Sequence, residues 1–114
     1  MSTSSKGSAR ERQVKKRLEA EGWVCVRSAA SASPVDIWAI KASGRKLQYG
    51  GANVLAIQIK ANKGNPYMNF RKPERDELRT LSEQAGATPY LVHWPPHGEE
   101  TWYGESDWPS VRES

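Results

Sequence analysis

The sequence predicts an α/β (α+β) fold, in which a mixed β-sheet is flanked by helices in the order α-β-β-β-α-β. Two stretches show the apolar spacing of amphipathic helices, and four short stretches are rich in β-branched and aromatic residues. This order of elements indicates a sandwich built around a mixed sheet. A chain of 114 residues corresponds to a single domain.

The first predicted helix covers residues 8–21, where Val14 and Leu18 lie four positions apart among charged residues. Glu11 precedes Val14 by three positions and therefore falls on the same stripe. A carboxylate that faces inward is costly unless it has a partner. The helix dipole also favours an acid in the first turn. The sequence leaves both interpretations of Glu11 open.

Three predicted strands follow, and Gly22 separates them from the first helix. They cover residues 23–28, 35–41 and 54–60. The connection at 42–53 is longer than a tight hairpin turn. Residues 61–72 form a basic loop in which Tyr67 and Phe70 are embedded.

The second predicted helix begins near Pro73, which suits a first turn, and ends near Gly86. Its apolar stripe consists of Leu78, Leu81 and Ala85. A fourth strand at 90–94 stops at the proline pair that follows it. Residues 101–104 are a candidate for a short fifth strand.

The chain divides into a disordered tail (1–6), a folded domain (7–96) and an acidic, aromatic segment (97–114). The last segment contains Trp102, Tyr103 and Trp108, close in sequence to Tyr90 and Trp94. Such an aromatic group suits a dimer interface. It equally suits a segment that folds back onto its own core.

The net charge of +4 is unevenly distributed. Residues 1–96 contain 16 Lys or Arg against 8 Asp or Glu, whereas residues 97–114 have a balance of −4. A basic body favours a nucleic-acid partner, although many surface lysines on an ordinary protein give the same charge. We expect no membrane span, because no apolar run approaches the roughly 20 residues required. The absence of an apolar N-terminus and the single Cys25 predict a cytoplasmic protein without an internal disulfide.

Two neighbouring strands combine an acid with a polar-x-Lys pair. Asp36 opens the second strand, and Gln58 and Lys60 end the third. Side chains alternate along a strand, so Gln58 and Lys60 share one face. If the two strands pair as an antiparallel hairpin, Asp36 adjoins both of them. In such an arrangement the acid can hold a divalent cation against a phosphate, and the lysine lies beside the attacking water. This is nuclease chemistry.

The chain also resembles the archaeal-type Holliday junction resolvases, within the PD-(D/E)XK nuclease superfamily. The resemblance covers most of residues 6–94. It is carried by Lys-Gly…Glu-Arg at 6–12, Val-Arg-Ser-x-x-Ser at 26–31, Asp-Ile-Trp-Ala-Ile at 36–40 and Ile-Gln-Ile-Lys at 57–60. It implies a restriction-endonuclease-like core and a homodimeric endonuclease that cleaves four-way DNA junctions.

The resemblance implies a role for each matching residue. Asp36 corresponds to the metal aspartate, Lys60 to the catalytic lysine and Glu11 to a glutamate near the metal. Ser31 corresponds to a loop serine near the scissile phosphate. We expect Mg²⁺, or Mn²⁺ in its place, to be held by Asp36, Gln58, the backbone carbonyl of Ile59 and Glu11. The predicted DNA-binding residues are Lys6, Arg10, Arg12, Lys15, Arg27, Lys63, Arg71 and Lys72.

One position departs from the family pattern, because the second metal carboxylate is replaced by Gln58. An amide oxygen can bind Mg²⁺ but brings no negative charge. The alternatives are therefore another PD-(D/E)XK nuclease, and a junction-binding protein with a weakened metal site. A basic protein that binds RNA or acidic proteins is a further alternative. We expect no small-molecule cofactor, and no zinc site at His93 and His97, because two prolines separate them.

Overall fold

The computed structural model describes residues 5–28, 34–41 and 54–109, with side chains from residue 9 onward. The helices are α1 (Ser5–Ala20) and α2 (Lys72–Ala85). The strands are β1 (Val24–Arg27), β2 (Ile37–Ile40), β3 (Val54–Lys60), β4 (Thr88–His93) and β5 (Thr101–Gly104). Short 3₁₀ helices cover Pro66–Asn69 and Glu105–Asp107.

The described strands form one mixed sheet in the order β1-β2-β3-β4-β5. Neighbouring strands are antiparallel except for β3 and β4, which are parallel and are connected through α2. The predicted fold class and element order are therefore confirmed. The predicted antiparallel pairing of the second and third strands is also observed, with Ile37 opposite Ile57. The hairpin connection at 42–53 lies outside the described residues.

The sheet separates two apolar clusters. On one face, Val14 and Leu18 of α1 pack on Ile57 and its neighbours of β3, and all three side chains are fully buried. On the other face, Ala56 lies in a cluster with Phe70 and with Leu78 of α2. Ala56 lies on the same face of β3 as Gln58 and Lys60 and is fully buried in this second cluster. Helix α2 therefore covers part of the face that carries the polar pair.

Several element boundaries differ from the prediction. Helix α1 begins at Ser5, so Ser5 and Lys6 belong to the helix and not to a tail. Strand β4 begins at Thr88 and includes Pro89. Proline lacks the N–H that a ladder needs, but β5 pairs with β4 only from Tyr90 onward. Pro89 therefore lies in a part of β4 that pairs with β3 alone among the described strands.

The C-terminal segment folds back onto the core. The candidate fifth strand is present, and Trp108 is 7% exposed in the cluster beneath α2. Its ring meets the ring of Phe70 edge-to-face at 5.0 Å between centroids, and the Arg79 guanidinium lies 5.3 Å from its ring centroid. The described part of the C-terminal segment, as far as residue 109, is therefore packed against the core. Of the described helices, neither is long and apolar enough for a membrane crossing.

Candidate active site

The site is built where Asp36 enters β2. The backbone N–H of Asp36 donates to the Ile57 carbonyl at 2.7 Å, and its carbonyl accepts the N–H of Ser28 at 2.9 Å. Val35, immediately before it, is fully buried. Asp36 is therefore held between the end of β1 and the middle of β3, and its side chain has a defined direction.

The Asp36 carboxylate meets the end of β3. Its Oδ2 accepts the backbone N–H of Ile59 at 2.7 Å and the side-chain Nε2 of Gln58 at 3.4 Å. Lys60 is half-buried on the same strand, and its carbonyl accepts the N–H of Trp94 at 2.9 Å. Its charge also contributes to the pKa of Asp36. The structure therefore brings together the acid, the amide and the lysine that the sequence singles out.

Burial raises the pKa of the Asp36 carboxyl to about 6 from an ordinary value of 3.8. The hydrogen bond from the Ile59 amide opposes this shift. The nearby Glu11 carboxylate raises the pKa, whereas Lys60 and Arg27 lower it. The positive charges around Asp36 therefore do not fully compensate the cost of desolvating its carboxylate.

Glu11 has the partner that an acid on the inner stripe of α1 requires. Its Oε1 accepts two hydrogen bonds from the Arg27 guanidinium, at 2.9 Å from Nη2 and 3.2 Å from Nε. Arg27 stands at the end of β1, opposite Ile37 of β2. Arg27 thus lies near both carboxylates, and the pair Glu11–Arg27 borders the site on the α1 side.

The oxygen atoms at this point suit a hard divalent cation. Among the described residues, Oδ1 of Asp36 accepts no hydrogen bond. The Ile59 N–H points to Asp36, and the carbonyl of an extended residue points to the same side of its strand. A rotation of the Gln58 amide by half a turn would direct Oε1 instead of Nε2 to Asp36. The described residues contain no group of three His, Cys, Asp or Glu that could hold a metal. A cation here would therefore rely on amide and carbonyl oxygens and on a substrate phosphate, a set that Mg²⁺ accepts.

Comparison with known proteins identifies the family. The model of a family described as "Archaeal holliday junction resolvase (hjc)" matches residues 2–104. The chain belongs to this family. Members of this family are nucleases that cleave Holliday junctions. Because the chain belongs to the family, it is a junction-cleaving nuclease.

A solved structure shares the resolvase fold. Archaeoglobus fulgidus Hjc, a Holliday junction resolvase from an archaeal hyperthermophile, is 24% identical to this chain, with a TM-score of 0.64. The match covers 87% of this chain and 72% of that one. At this identity the likeness establishes the fold. No match was found among curated proteins.

In this chain, the basic residues that are predicted to bind DNA differ in their exposure and in their contacts. Arg10 makes intramolecular contacts, donating to the carbonyls of Trp94 and Pro95 and stacking on the Trp94 ring at 4.8 Å. Two lysines pair with acids one helical turn away, Lys15 with Glu19 and Lys72 with Asp76. The exposed ones are Arg12, Arg27, Lys63 and Arg71, of which Arg27 is paired with Glu11. Ser31 lies outside the described residues, as does the side chain of Lys6. Binding of DNA by all these residues stays a prediction.

One residue beside the site was not singled out as functional from the sequence. His93 is 7% exposed and stands beside Lys60 in the parallel pairing of β3 and β4. Its Nε2 lies 2.7 Å from the Asn62 carbonyl and donates to it, because a carbonyl oxygen only accepts. His93 therefore anchors the chain directly after Lys60. The sequence feature that could have indicated this role is the position of His93 at the end of β4. It becomes informative only once the register of β3 and β4 is known.

Proposed function

We propose that this chain cleaves four-way DNA junctions by metal-dependent hydrolysis of a phosphodiester, with Asp36, Gln58 and Lys60 as its catalytic residues. The observation that carries the proposal is the contact between the Asp36 carboxylate and the end of β3, where Gln58 and Ile59 both donate to Oδ2. This convergence gives one half-buried acid, one amide and one ammonium at a single point of a basic protein.

The cation would be Mg²⁺, with Mn²⁺ as a substitute, held by Asp36, the Gln58 amide oxygen and the Ile59 carbonyl. When bound, such an ion lowers the pKa of water and neutralises charge on the phosphate. Glu11 would orient water at the edge of the site while it remains paired with Arg27. Because Gln58 supplies no negative charge, the DNA phosphate would complete the binding of the cation.

Lys60 would stabilise the negative charge that develops on the phosphate during attack. Its backbone is fixed from the β4 side, because its carbonyl accepts the Trp94 N–H and His93 anchors the following chain at Asn62. Ser31 would lie near the scissile phosphate. The exposed cations Arg12, Lys63 and Arg71 would contact DNA phosphates and set the orientation of the DNA without reading its sequence.

We further propose a homodimer that acts on DNA in the cell interior. A twofold arrangement would place two sites on opposing strands of a branched substrate. The described C-terminal segment is built into the monomer core through Trp108, so the interface would lie on another surface. Sedimentation velocity across a range of concentrations measures the association. A single monomeric species throughout would contradict the dimer and leave the chemistry untouched.

The decisive experiment is cleavage of a labelled four-way junction in Mg²⁺ or Mn²⁺, with linear duplex as the comparison substrate. We expect Lys60→Ala to reduce the single-turnover rate by about 100-fold or more, because it removes charge stabilisation from the transition state. The matched control is Lys63→Ala, which removes an exposed cation three residues away. Equal loss in both variants would mean that Lys60 acts only through overall charge.

Gln58→Glu tests the departure from the family pattern. A second carboxylate beside Asp36 should tighten binding of the cation and raise the cleavage rate at low Mg²⁺ concentration. Complete inactivity of both the unsubstituted chain and Gln58→Glu would remove Gln58 as the explanation and refute the proposed hydrolysis.

A second candidate function is that of a junction-binding protein that does not cut. The observation that favours it is that Gln58 turns its Nε2 donor, and not its Oε1, toward Asp36 Oδ2. Calorimetric titration with Mg²⁺ and Mn²⁺ in the presence of junction DNA separates the two functions. Tight junction binding without any uptake of cation would favour the second candidate.

A further inference from the structure

An apolar side chain stands exposed next to the proposed catalytic lysine. Met68 is 60% exposed and lies in the basic loop between β3 and α2. A flexible apolar side chain in contact with water is common when it is isolated. Met68 differs from such isolated side chains because the loop around it is held by hydrogen bonds and carries basic residues. It also lines a cleft that contains Lys60.

The 3₁₀ helix Pro66–Asn69 presents Met68 on a firm base. The Asn65 side chain caps it by accepting the Tyr67 N–H at 2.9 Å, and the Tyr67 hydroxyl donates to the Asp107 carbonyl at 3.3 Å. Pro66 is buried, and the Phe70 side chain that follows is fully buried. The buried Arg75 donates to the Phe70 carbonyl at 2.8 Å. Both ends of this short helix are therefore anchored, and Met68 projects from its outer side.

Met68 forms a ridge between two clefts. One cleft, of about 500 Å³, extends from Ile59 and Lys60 to Asn69 and Arg71. The other, of about 600 Å³, is lined by Tyr67, Arg71, Pro73 and neighbouring residues. Met68 and Arg71 line both clefts. A molecule that fills the first cleft thus contacts Lys60 and Met68 together.

The charge of this region selects a polyanion. The first cleft contains Lys60 and Arg71 against Glu74, and Glu74 is already bonded to the Arg71 amide at 3.1 Å. Lys63 is exposed in the same loop. DNA is the polyanion that also offers apolar faces, and proteins insert Met and similar side chains between base steps. Unstacking is least costly where continuous stacking is already interrupted, as it is at a branch point.

We propose that the Met68 ridge holds an unstacked base of the junction arm, close to the phosphate that Lys60 addresses, with Arg71 on the neighbouring backbone. This inference rests on the proposed function and adds to it the part of the substrate that occupies the loop. The two clefts receive the nucleotides on either side of that base. Junction preference over duplex is then set partly by a neutral side chain.

The test places 2-aminopurine at successive positions beside the branch point of a four-way junction, because its fluorescence rises on unstacking. Binding is followed in the Asp36→Asn background so that no strand is cut. Met68→Ala is compared with Met68→Leu, which keeps the apolar bulk. Val24→Ala is the matched control, because Val24 is also 60% exposed but lies on β1, away from the loop.

We expect Met68→Ala to abolish the fluorescence increase in the Asp36→Asn background. In the chain that keeps Asp36, it should slow junction cleavage about tenfold, because one contact that stabilises the unstacked base is lost. Met68→Leu and Val24→Ala should keep both signals. The salt dependence of binding should be equal in all variants, because none removes a charge.

The outcomes separate this inference from the function beneath it. A junction that is bound and cleaved with the same fluorescence and rate in Met68→Ala overturns the ridge and leaves the nuclease proposal intact. A chain that neither binds nor cuts the junction overturns both. If Met68→Leu lost the fluorescence increase and the cleavage rate as Met68→Ala does, the apolar bulk of the side chain would not be what matters. That result would overturn the proposed contact with an unstacked base.

Discussion

At the scale of single residues, Asp36 is a half-buried, partly desolvated acid whose charge costs stability. Its pKa of about 6 exceeds the ordinary 3.8, so the folded chain binds a proton more tightly than the unfolded chain does. The stabilisation from this proton is present in full below about pH 4 and is lost as the pH rises through about 6. The shift corresponds to roughly 3 kcal/mol at most.

Asp36→Asn should therefore stabilise the metal-free protein at pH 8 by roughly 1–3 kcal/mol and change its stability little at pH 4. The amide oxygen of asparagine can still accept the Ile59 N–H, so the backbone contact survives. Urea unfolding at the two pH values in the presence of a chelator measures the difference. The same variant should lose junction cleavage, because the only carboxylate proposed to hold the cation directly is gone.

Asp76→Asn is the control for this change. The Asp76 side chain is 46% exposed, and its hydrogen bond from Lys72 lowers its pKa. Its charge therefore favours the folded state above the ordinary pKa, and its removal should not stabilise the protein at pH 8. If Asp36→Asn also failed to stabilise the chain at pH 8, the assignment of Asp36 as a desolvated acid would be wrong.

The sequence predicted which residues lie close together better than it predicted their other contacts. Strand alternation and a hairpin are local rules, and they were enough to place Asp36 beside Gln58 and Lys60. The same reasoning gave, as one of two interpretations, an inward-facing Glu11 that needs a partner. It did not name Arg27 as that partner, because the position of α1 across the end of β1 depends on tertiary packing. Neither could local rules predict that Arg10 stacks on Trp94, 84 positions away.

At the scale of elements, the parallel pair β3–β4 positions the proposed lysine. The Lys60 carbonyl is bonded to the Trp94 amide, and His93 holds the Asn62 carbonyl. His93→Leu introduces an apolar side chain of similar volume and leaves this carbonyl without its donor. We expect the free energy of unfolding to fall by roughly 1–3 kcal/mol. The cleavage rate should fall more than junction affinity, because the chain directly after Lys60 loses its anchor at Asn62 while the surface cations remain.

His97→Asn is the matched control. His97 is exposed and has a positive φ of 59°, which asparagine tolerates, so we expect less than about 0.5 kcal/mol of change in stability. Rate and affinity measured separately on both variants decide the role of His93. A fall in stability with an unchanged rate would make His93 purely structural.

Helices and strands were predicted well where the pattern was long and less well at strand ends. The stripe at Val14 and Leu18 and the stripe at Leu78 and Leu81 both face the sheet. The start of β4 was misplaced because Thr88-Pro89 carries a breaker signal. That signal is overridden here because Pro89 pairs only with the β3 side among the described strands.

At the scale of the whole molecule, the C-terminal segment closes the core under α2. Trp108→Ala removes a ring that is 7% exposed and in contact with Phe70 and Arg79. We expect a loss of roughly 3–5 kcal/mol in unfolding free energy, a large part of the stability of a domain of this size. Urea unfolding checks the value, and Ser106→Ala, an exposed position two residues earlier, serves as the control.

The sequence left open whether these aromatic residues form a dimer interface or fold back on the core, because composition alone does not distinguish the two burials. If Trp108 instead supported an interface, Trp108→Ala would shift the dimer dissociation constant and leave monomer unfolding nearly unchanged. Sedimentation measured together with unfolding separates these outcomes.

Strand β3 belongs to both cores at once. Leu55, Ile57 and Ile59 fill the cluster under α1, whereas Ala56 fills the one under α2. A single strand shared in this way makes the two halves unfold cooperatively, since neither can separate without breaking the packing of the other. Gln58 and Lys60 stand at the end of that strand. Loosening at either helix is therefore transmitted to the same few atoms, and catalytic competence should disappear over the same interval of denaturant as the fold itself.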